Sequence, residues 1–345
     1  MNSFYATFIP GLQDLIAETV KQRLCDVKIR KLLDGAVLFE TQTSYDKLNF
    51  FCFNNIFAVI SIMEHAEGSA ALEKHIKAAI KSGGAEEIIA NNSGKIKSFR
   101  IVFSRENVPA SVDEKLRLEA EKYISRICAL KIDRGLPDTE FWFLFRRVEG
   151  GTDFSLFMKR LTLRPSWEKS LHKGELPPPL AWALCRIARL SHGQTVLDPF
   201  CGYGAIPHAA FKHFHITKFI TCDSDKKAAL FTAARFKERK QKDFILHHCD
   251  FNSLSSLVAE KSIDAIVTDP PWGYYNKIDE NAFYVKMFAV FEKVLKEGGR
   301  AVVLCANKEE LLKTVTDCFS MENHIPILLS GKKTAIFEFI LKKIS

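Results

Sequence analysis

Thr195-Val196-Leu197-Asp198-Pro199-Phe200-Cys201-Gly202-Tyr203-Gly204-Ala205-Ile206 reads as a strand, a glycine loop and the first turn of a helix. Gly202 and Gly204 let backbone approach a ligand closely, and a helix opening near Ala205 points N–H groups at a carboxylate or phosphate. Gly-x-Gly alone is a weak signal. It does not continue into the dinucleotide pattern: the third glycine position of Gly-x-Gly-x-x-Gly is Pro207, and Asp198-Pro199 interrupts the loop before the first glycine. Those details suit a different cofactor.

Three further strands end in an acid. Lys218-Phe219-Ile220-Thr221-Cys222-Asp223 places Asp223 about where a carboxylate meets ribose hydroxyls. Asp225, two residues on, fits an N-cap for a helix over Lys226 to Lys237. Phe244 to Cys249 delivers Asp250-Phe251, a carboxylate and ring suited to an adenine amino group and its face, or equally an Asx turn. The continuous β-type run Ile263 to Thr268 delivers Asp269-Pro270-Pro271-Trp272-Gly273. An aromatic amine is a poor nucleophile, because its lone pair is delocalised into the ring. A site that alkylates it must hold the nitrogen: the Asp269 carboxylate can accept one N–H, the Pro270 carbonyl the other, and Trp272 offers a stacking face. Such groups act by proximity and alignment, with proton loss following the chemistry. The bland alternative is a Pro-Pro turn ending a strand.

In this order the four strand ends resemble the motifs of class I S-adenosylmethionine-dependent methyltransferases, in the group that methylates exocyclic amino nitrogens. The resemblance implies a Rossmann-like, doubly wound α/β sheet closed by an antiparallel hairpin. It implies cofactor contacts at Asp198, Phe200, Cys201, Gly202, Gly204 and Ala205 in the loop, at Asp223 for ribose, and at Asp250 and Phe251 for adenine. Asp269, Pro270, Pro271 and Trp272 would hold the target amine, with Trp272 and Gly273 against the base. Tyr203 and Ala205 stand where the family commonly has Ser and Thr, which implies a tighter or less hydrogen-bonded loop. Trp272 in place of Tyr, and Asp269 in place of Asn, leave the choice among adenine, guanine and cytosine open.

The rest of the C-terminal half fits that topology: helical spacing over Ala282 to Lys296, a strand Arg300 to Cys305, a helix Lys308 to Cys318, and two strands, His324 to Ser330 and Lys333 to Leu341, joined as a hairpin by Gly331-Lys332. Upstream, Phe4 to Leu12 reads as a strand turning into a helix that runs toward Leu24, and Val27 to Phe39 as a hairpin around Asp34-Gly35. From Ser98 the pattern restarts: strand Phe99 to Phe103, helix Ala110 to Arg126, Lys131-Ile132-Asp133, and the apolar strand Glu140 to Arg147. These segments, with Pro137-Asp138, resemble the ferredoxin-like and THUMP parts of THUMP-containing tRNA guanosine N2-methyltransferases, a likeness that spans nearly the whole chain. The expected divisions are an α+β ferredoxin-like domain over 1–60, a THUMP-like RNA-binding domain over 61–163, a linker over 164–176 and the methyltransferase domain over 177–345. Leu176-Pro177-Pro178-Pro179-Leu180-Ala181 resembles the entry to the first catalytic-domain helix. Within Arg164-Pro165-Ser166-Trp167 the family's arginine-rich segment is only partly matched. The implied partner is tRNA. Duplex RNA hides its base edges, so the target must flip out, and stacking on Trp272 offsets part of that cost at roughly 1–3 kcal/mol per base.

The net charge of +8 favours a phosphate backbone and is spread over both halves. The densest cluster, Arg235 to Lys242, reads as a solvated helix end, where cations complement the dipole. Arg146-Arg147, beside the core run Phe141 to Phe145, is the better phosphate candidate. Nine cysteines form no Cys-x-x-Cys pair, so no metal site and no disulfide framework is expected, and they read as reduced core thiols of a cytosolic protein. No Pro-Cys follows the fourth strand, which argues against Cys201 as a nucleophile, and His247-His248 reads as packing. No secretory signal is read at Met1, and the richest apolar window, Phe50 to Met63, is too short to span a bilayer, so a soluble cytoplasmic protein is expected. No dimerisation signature is read. Two alternatives remain: methylation of another base amine, adenine N6 or a guanine in ribosomal RNA, and a non-catalytic RNA-binding protein on the same fold. The intact Asp223, Asp250 and Asp269 argue against the second.

Overall fold

The computed structural model describes residues 1–45, 47–48, 50–65, 70–82, 96–106, 108–162, 171–238, 243–272, 279–329 and 331–343. They fall into two units, Met1–Phe8 with Ile16–Ser166 and Ile9–Leu15 with Trp167–Ser345.

The first unit contains β1 (Asn2–Thr7), β2 (Lys28–Leu33), β3 (Ala36–Thr41), β4 (Asn55–Glu64), α2 (Ala71–Ser82), β5 (Ser98–Arg105), β6 (Val108–Pro109), α3 (Glu114–Cys128), β7 (Lys131–Ile132), β8 (Thr139–Arg146) and β9 (Phe154–Arg160). The chain between β1 and β2 forms α1 (Gln13–Arg23). The strands make one nine-stranded sheet, ordered β2-β3-β1-β4-β9-β8-β5-β6, with β7 paired to β5. Turn chemistry acts as the sequence implies: Gly35, at φ +80°, lets Leu33 pair with Ala36 in the hairpin. The division expected between residues 60 and 61 is corrected. It falls inside β4, whose Phe57 pairs with Tyr5 of β1 and whose Ser61 pairs with Phe157 of β9. Backbone hydrogen bonding thus carries a single sheet across the expected boundary.

Four elements here have no sequence expectation, β4, α2, β6 and β9. All of β9 but Arg160 is buried, so both of its faces are covered and the alternation that marks a half-exposed strand is missing. One face of the sheet packs against α2 and α3 through Leu72, Ile76, Leu116 and Ile124 on Phe99, Phe141, Phe143 and Phe157. The Phe143 and Phe157 rings stack at 4.3 Å.

The second unit contains α4 (Pro178–Ile187), β10 (Thr195–Asp198), α5 (Ala205–His213), β11 (Lys218–Asp223), α6 (Lys226–Glu238), β12 (Phe244–His248), α7 (Leu254–Leu257), β13 (Ile263–Thr268), α8 (Glu280–Val294), β14 (Leu295–Cys305), α9 (Lys308–Thr314), β15 (Phe319–Leu329) and β16 (Lys332–Leu341). Its sheet runs β12-β11-β10-β13-β14-β16-β15. Strands β12 to β14 are parallel, and β16 and β15 close the sheet antiparallel, as expected of a doubly wound fold with a final hairpin. Helix α4 opens on Pro178, where a missing N–H costs nothing. Helix α9 ends at Thr314 rather than at Cys318, because Val315 is extended and leads into β15, which begins five residues before the expected His324. The unit also takes in Ile9–Leu15, which the expected 177–345 range omits. The Pro10 carbonyl accepts the Leu328 N–H at 3.4 Å, and Gly11, at φ +97°, lies where a Cβ would stand 2.0 Å from the Pro326 carbonyl oxygen. Among the described residues no helix is long and apolar enough to cross a membrane.

Candidate active site

Because β12, β11, β10 and β13 are parallel neighbours, their final acids reach the same edge of the sheet. Asp198 ends β10, and Asp269 follows β13 directly. Asp223 ends β11, and Asp250 stands two residues beyond β12. This edge is where open α/β sheets bind ligands.

The Asp198 side chain is enclosed. Its Oδ1 accepts the Thr268 hydroxyl at 2.8 Å and the Phe200 N–H at 3.1 Å, while Oδ2 is buried with no partner. Burial pushes this carboxyl up to about 7, against the pull of the two hydrogen bonds. Asp269 is half-buried, and its Oδ1 is likewise buried and unpartnered. Burial first, and the Asp198 charge second, push its carboxyl well above the usual carboxylate range. Trp272 donates its indole N–H to the Leu304 carbonyl at 3.3 Å, at the end of β14. A tyrosine has no donor at that point of its ring, so this bond gives a physical reason for Trp at the position. Pro270 is buried and Pro271 exposed, whereas Gly273 lies outside the described residues.

The glycine loop is tied from several directions. Gly202 N–H donates to Asp223 Oδ2 at 2.7 Å, Cys201 N–H to the Cys222 carbonyl at 3.0 Å, and Gly204 N–H to the Cys201 carbonyl at 2.8 Å. Gly204 sits at φ +79° just before Ala205 opens α5, and a Cβ there would come within 2.9 Å of Thr232 Cγ2. Gly202, at φ +50°, has nothing within 4 Å of where its Cβ would be, so that side of the loop is open. Asp223 accepts a second bond, from the Asp225 N–H at 2.8 Å, and so serves the loop itself. Asp225 caps α6 as expected, accepting from Lys227 and Ala228 N–H. Asp250 adopts the Asx turn, accepting the Asn252 N–H at 2.9 Å and its side-chain amide at 2.6 Å. Phe251 is buried against Phe200 and Phe283, with centroids 5.0 and 5.1 Å away. The Cys201 thiol is buried and pushed well up, which leaves it un-ionised and a poor nucleophile.

Two readings of basic residues are corrected. Arg146, in the first unit, does not offer its guanidinium to a phosphate: its side chain is 10% exposed and lies 3.8 Å from the Glu106 carboxylate. Its neighbour Arg147 is exposed and donates its backbone N–H to the same carboxylate. Arg235 is not a solvated helix-end cation, since it donates to Glu175 Oε1 at 3.0 Å and to the Tyr203 carbonyl at 2.7 Å. The cluster's last residues, 239–242, lie outside the described residues, as does Arg164-Pro165-Ser166-Trp167. Thr268, Thr232, Arg235 and Glu175 are the site residues that sequence reasoning misses. Of these, only Thr268 carried a signal, a hydroxyl one residue before the Asp269 motif.

Residues 165–325 match the family UPF0020, an RMKL-like methyltransferase domain. The chain also resembles named proteins. It is 33% identical over 211 residues to the tRNA (guanine(10)-N2)-dimethyltransferase of Methanocaldococcus jannaschii, a match covering 56% of this chain and 58% of that one. With the human U6 snRNA (guanine-N(2))-methyltransferase THUMPD2 it shares 29% identity over 147 residues, 43% of this chain and 28% of the human protein. The chain thus spans less than two thirds of the length of each of these relatives. The crystal structure of TrmN from Thermus thermophilus superposes with a TM-score of 0.83 at 20% identity, covering 99% of this chain and 100% of that one, a likeness of fold that takes in both units.

Proposed function

We propose that this chain is an S-adenosylmethionine-dependent methyltransferase acting on the exocyclic N2 amine of a guanosine in tRNA. The observation that carries the reading is the pair Asp198 and Asp269, carboxylates at neighbouring strand ends, each with one buried oxygen lacking a partner. A buried polar atom is left unsatisfied at a cost of roughly 1–3 kcal/mol, more when charged, so such atoms mark a place completed by a ligand. The ligand that completes this one is rich in N–H groups and positive charge.

The fit extends to the cofactor. Gly202, Gly204 and Ala205 offer a close backbone approach beside Asp198, Phe200 and Cys201, and Asp223 and Asp250 stand on the next two strand ends for ribose and adenine. When bound, the cofactor supplies an electrophilic methyl group on a sulfonium. The protein's part is to orient the amine: Asp269 Oδ1 and the Pro270 carbonyl accept its two N–H bonds, and Trp272, its indole held by Leu304, stacks on the base. As the nitrogen gains the methyl group it becomes cationic. A desolvated carboxylate at Asp269 stabilises that charge and is basic enough to take the released proton.

Guanine N2 is favoured over adenine N6 because the archaeal and human relatives are both named for guanine-N2 chemistry. In this reading the first unit is the RNA-binding part, comprising the ferredoxin-like and THUMP-like regions, with tRNA as partner and Arg147 as a phosphate contact. The test is methyl transfer from labelled S-adenosylmethionine to tRNA, small nuclear RNA, ribosomal RNA and DNA, with nucleoside mass spectrometry. N2-methylguanosine in tRNA is expected. Methyladenosine, or label in another pool, overturns the substrate, and no label with intact cofactor binding overturns the activity.

A further inference from the structure

The glycine loop, Cys201-Gly202-Tyr203-Gly204, has no serine or threonine side chain of its own to hold it, and both glycines sit at positive φ. An unheld loop of that composition would populate many conformations, and each binding event would have to order it again. The second unit supplies an external hold from one face of α6. Thr232 and Arg235 stand three residues apart on this helix and therefore project from the same side. The Thr232 hydroxyl donates to the Gly202 carbonyl at 2.9 Å, and Arg235 Nη1 donates to the Tyr203 carbonyl at 2.7 Å. Consecutive loop carbonyls are thus gripped by consecutive turns of a helix.

Arg235 is itself fixed. Its second acceptor is Glu175 Oε1 at 3.0 Å, a carboxylate whose side chain is only 4% exposed. Glu175 Oε2 accepts the His172 N–H at 3.1 Å, so the turn before α4 is part of the same hold. The guanidinium lies 5.4 Å from the Phe231 ring centroid, and the Tyr203 ring stacks on His172 at 4.0 Å and 11°. At Gly202 itself nothing lies within 4 Å of where a Cβ would stand, so the loop has open space at that point.

We infer that Arg235, anchored by Glu175 and assisted by Thr232, is a positioning residue that pre-orders the glycine loop for the cofactor. The inference rests on the methyltransferase reading of the loop. Pre-ordering acts before the chemistry, so its loss weakens cofactor binding more than it slows the methyl transfer itself.

The experiment is titration calorimetry of S-adenosylhomocysteine against the full chain and its Arg235→Gln and Thr232→Val variants, with KM for S-adenosylmethionine and kcat on tRNA. Arg235→Gln is expected to raise Kd and KM roughly tenfold, since a charge-assisted hydrogen bond is lost, while kcat at saturating cofactor falls less than threefold. Arg235→Lys should recover part of the affinity. Thr232→Val, which keeps the side-chain shape, should raise Kd about threefold. Wild-type protein that fails to bind S-adenosylhomocysteine overturns the reading of the loop as a cofactor site. Wild-type binding with unchanged Kd in Arg235→Gln overturns the clamp alone. Where Arg235→Gln lowers the thermal midpoint sharply, Thr232→Val decides: a rise in Kd without loss of stability supports the clamp, and an unchanged Kd overturns it.

Discussion

Two buried glutamates of the first unit and the two strand-end aspartates of the second are treated in opposite ways. In the first, Glu140 has a side chain 4% exposed, yet it accepts from Arg100, from Arg160 at 2.9 Å and from the Trp142 indole at 3.0 Å. Glu121, equally buried, receives both prongs of Arg134 at 3.0 and 2.8 Å. In the second unit Asp198 is as deeply enclosed and Asp269 is half-buried, and among the described residues their neighbours are hydroxyl, amide or indole groups rather than cations, with one unpartnered oxygen on each. The difference separates scaffolding from site. A carboxylate that folding itself satisfies contributes to holding strands together, whereas one that folding leaves unsatisfied carries a cost that a proton or a ligand offsets.

The sharpest way to break that contrast is to remove one acid of each kind. Glu140→Ala leaves Arg100 and Arg160 without their shared partner and should cost about 3–5 kcal/mol in denaturant unfolding. Asp198→Asn, which keeps an oxygen for Thr268 and Phe200, should lie within about 1 kcal/mol of wild type or above it at pH 8. A large loss for Asp198→Asn would place it with the scaffold. On activity the expectation is reversed. Asp269→Ala should lower single-turnover methyl transfer by roughly 10²–10³ while S-adenosylhomocysteine affinity stays within about threefold. Equal loss of both would mean that the amine is held elsewhere.

The pH dependence sharpens the same point. Both carboxyls are raised in the folded state, so their contribution to stability is full below about pH 4, the unfolded value, and is lost as pH rises through the folded values, about 7 for Asp198. The free protein should therefore lose stability as pH rises from about 4 through about 7 on account of Asp198, by up to about 1.4 kcal/mol per pH unit, a slope that Asp198→Asn reduces and to which Asp269 adds in the same direction. A cationic cofactor favours the ionised forms, so its affinity should rise over the window in which stability falls. Calorimetry in buffers of different ionisation enthalpy would detect the released protons. The smallest effect is expected of Trp272→Phe, which keeps a stacking ring and loses the N–H to Leu304. KM for RNA should rise by about threefold to fivefold, with kcat less affected.

Much of the second unit is legible from local sequence. Pro178 at the head of α4, Asp225 capping α6 and Gly204 before α5 each act on residues within four positions of themselves, as Gly35 does in the first unit's hairpin. The four acids could be ordered along strand ends because parallel strands with helical crossovers bring those ends to one edge. Strand β9 was not legible, because burial on both faces removes its period, and α9 was overextended, because its end is set by where β15 must begin.

The sequence by itself determined the fold class, the order of the motifs and which acids stand at the strand-end edge of the sheet, since these follow from short-range geometry and period. Only the tertiary structure decided which charges are occupied. Arg146 meets Glu106 across two strands, Arg235 meets Glu175 sixty positions away, and Thr268 meets Asp198 seventy positions away. A side chain's partner depends on whatever packing brings within about 3 Å, and nothing in the neighbouring residues encodes that distance.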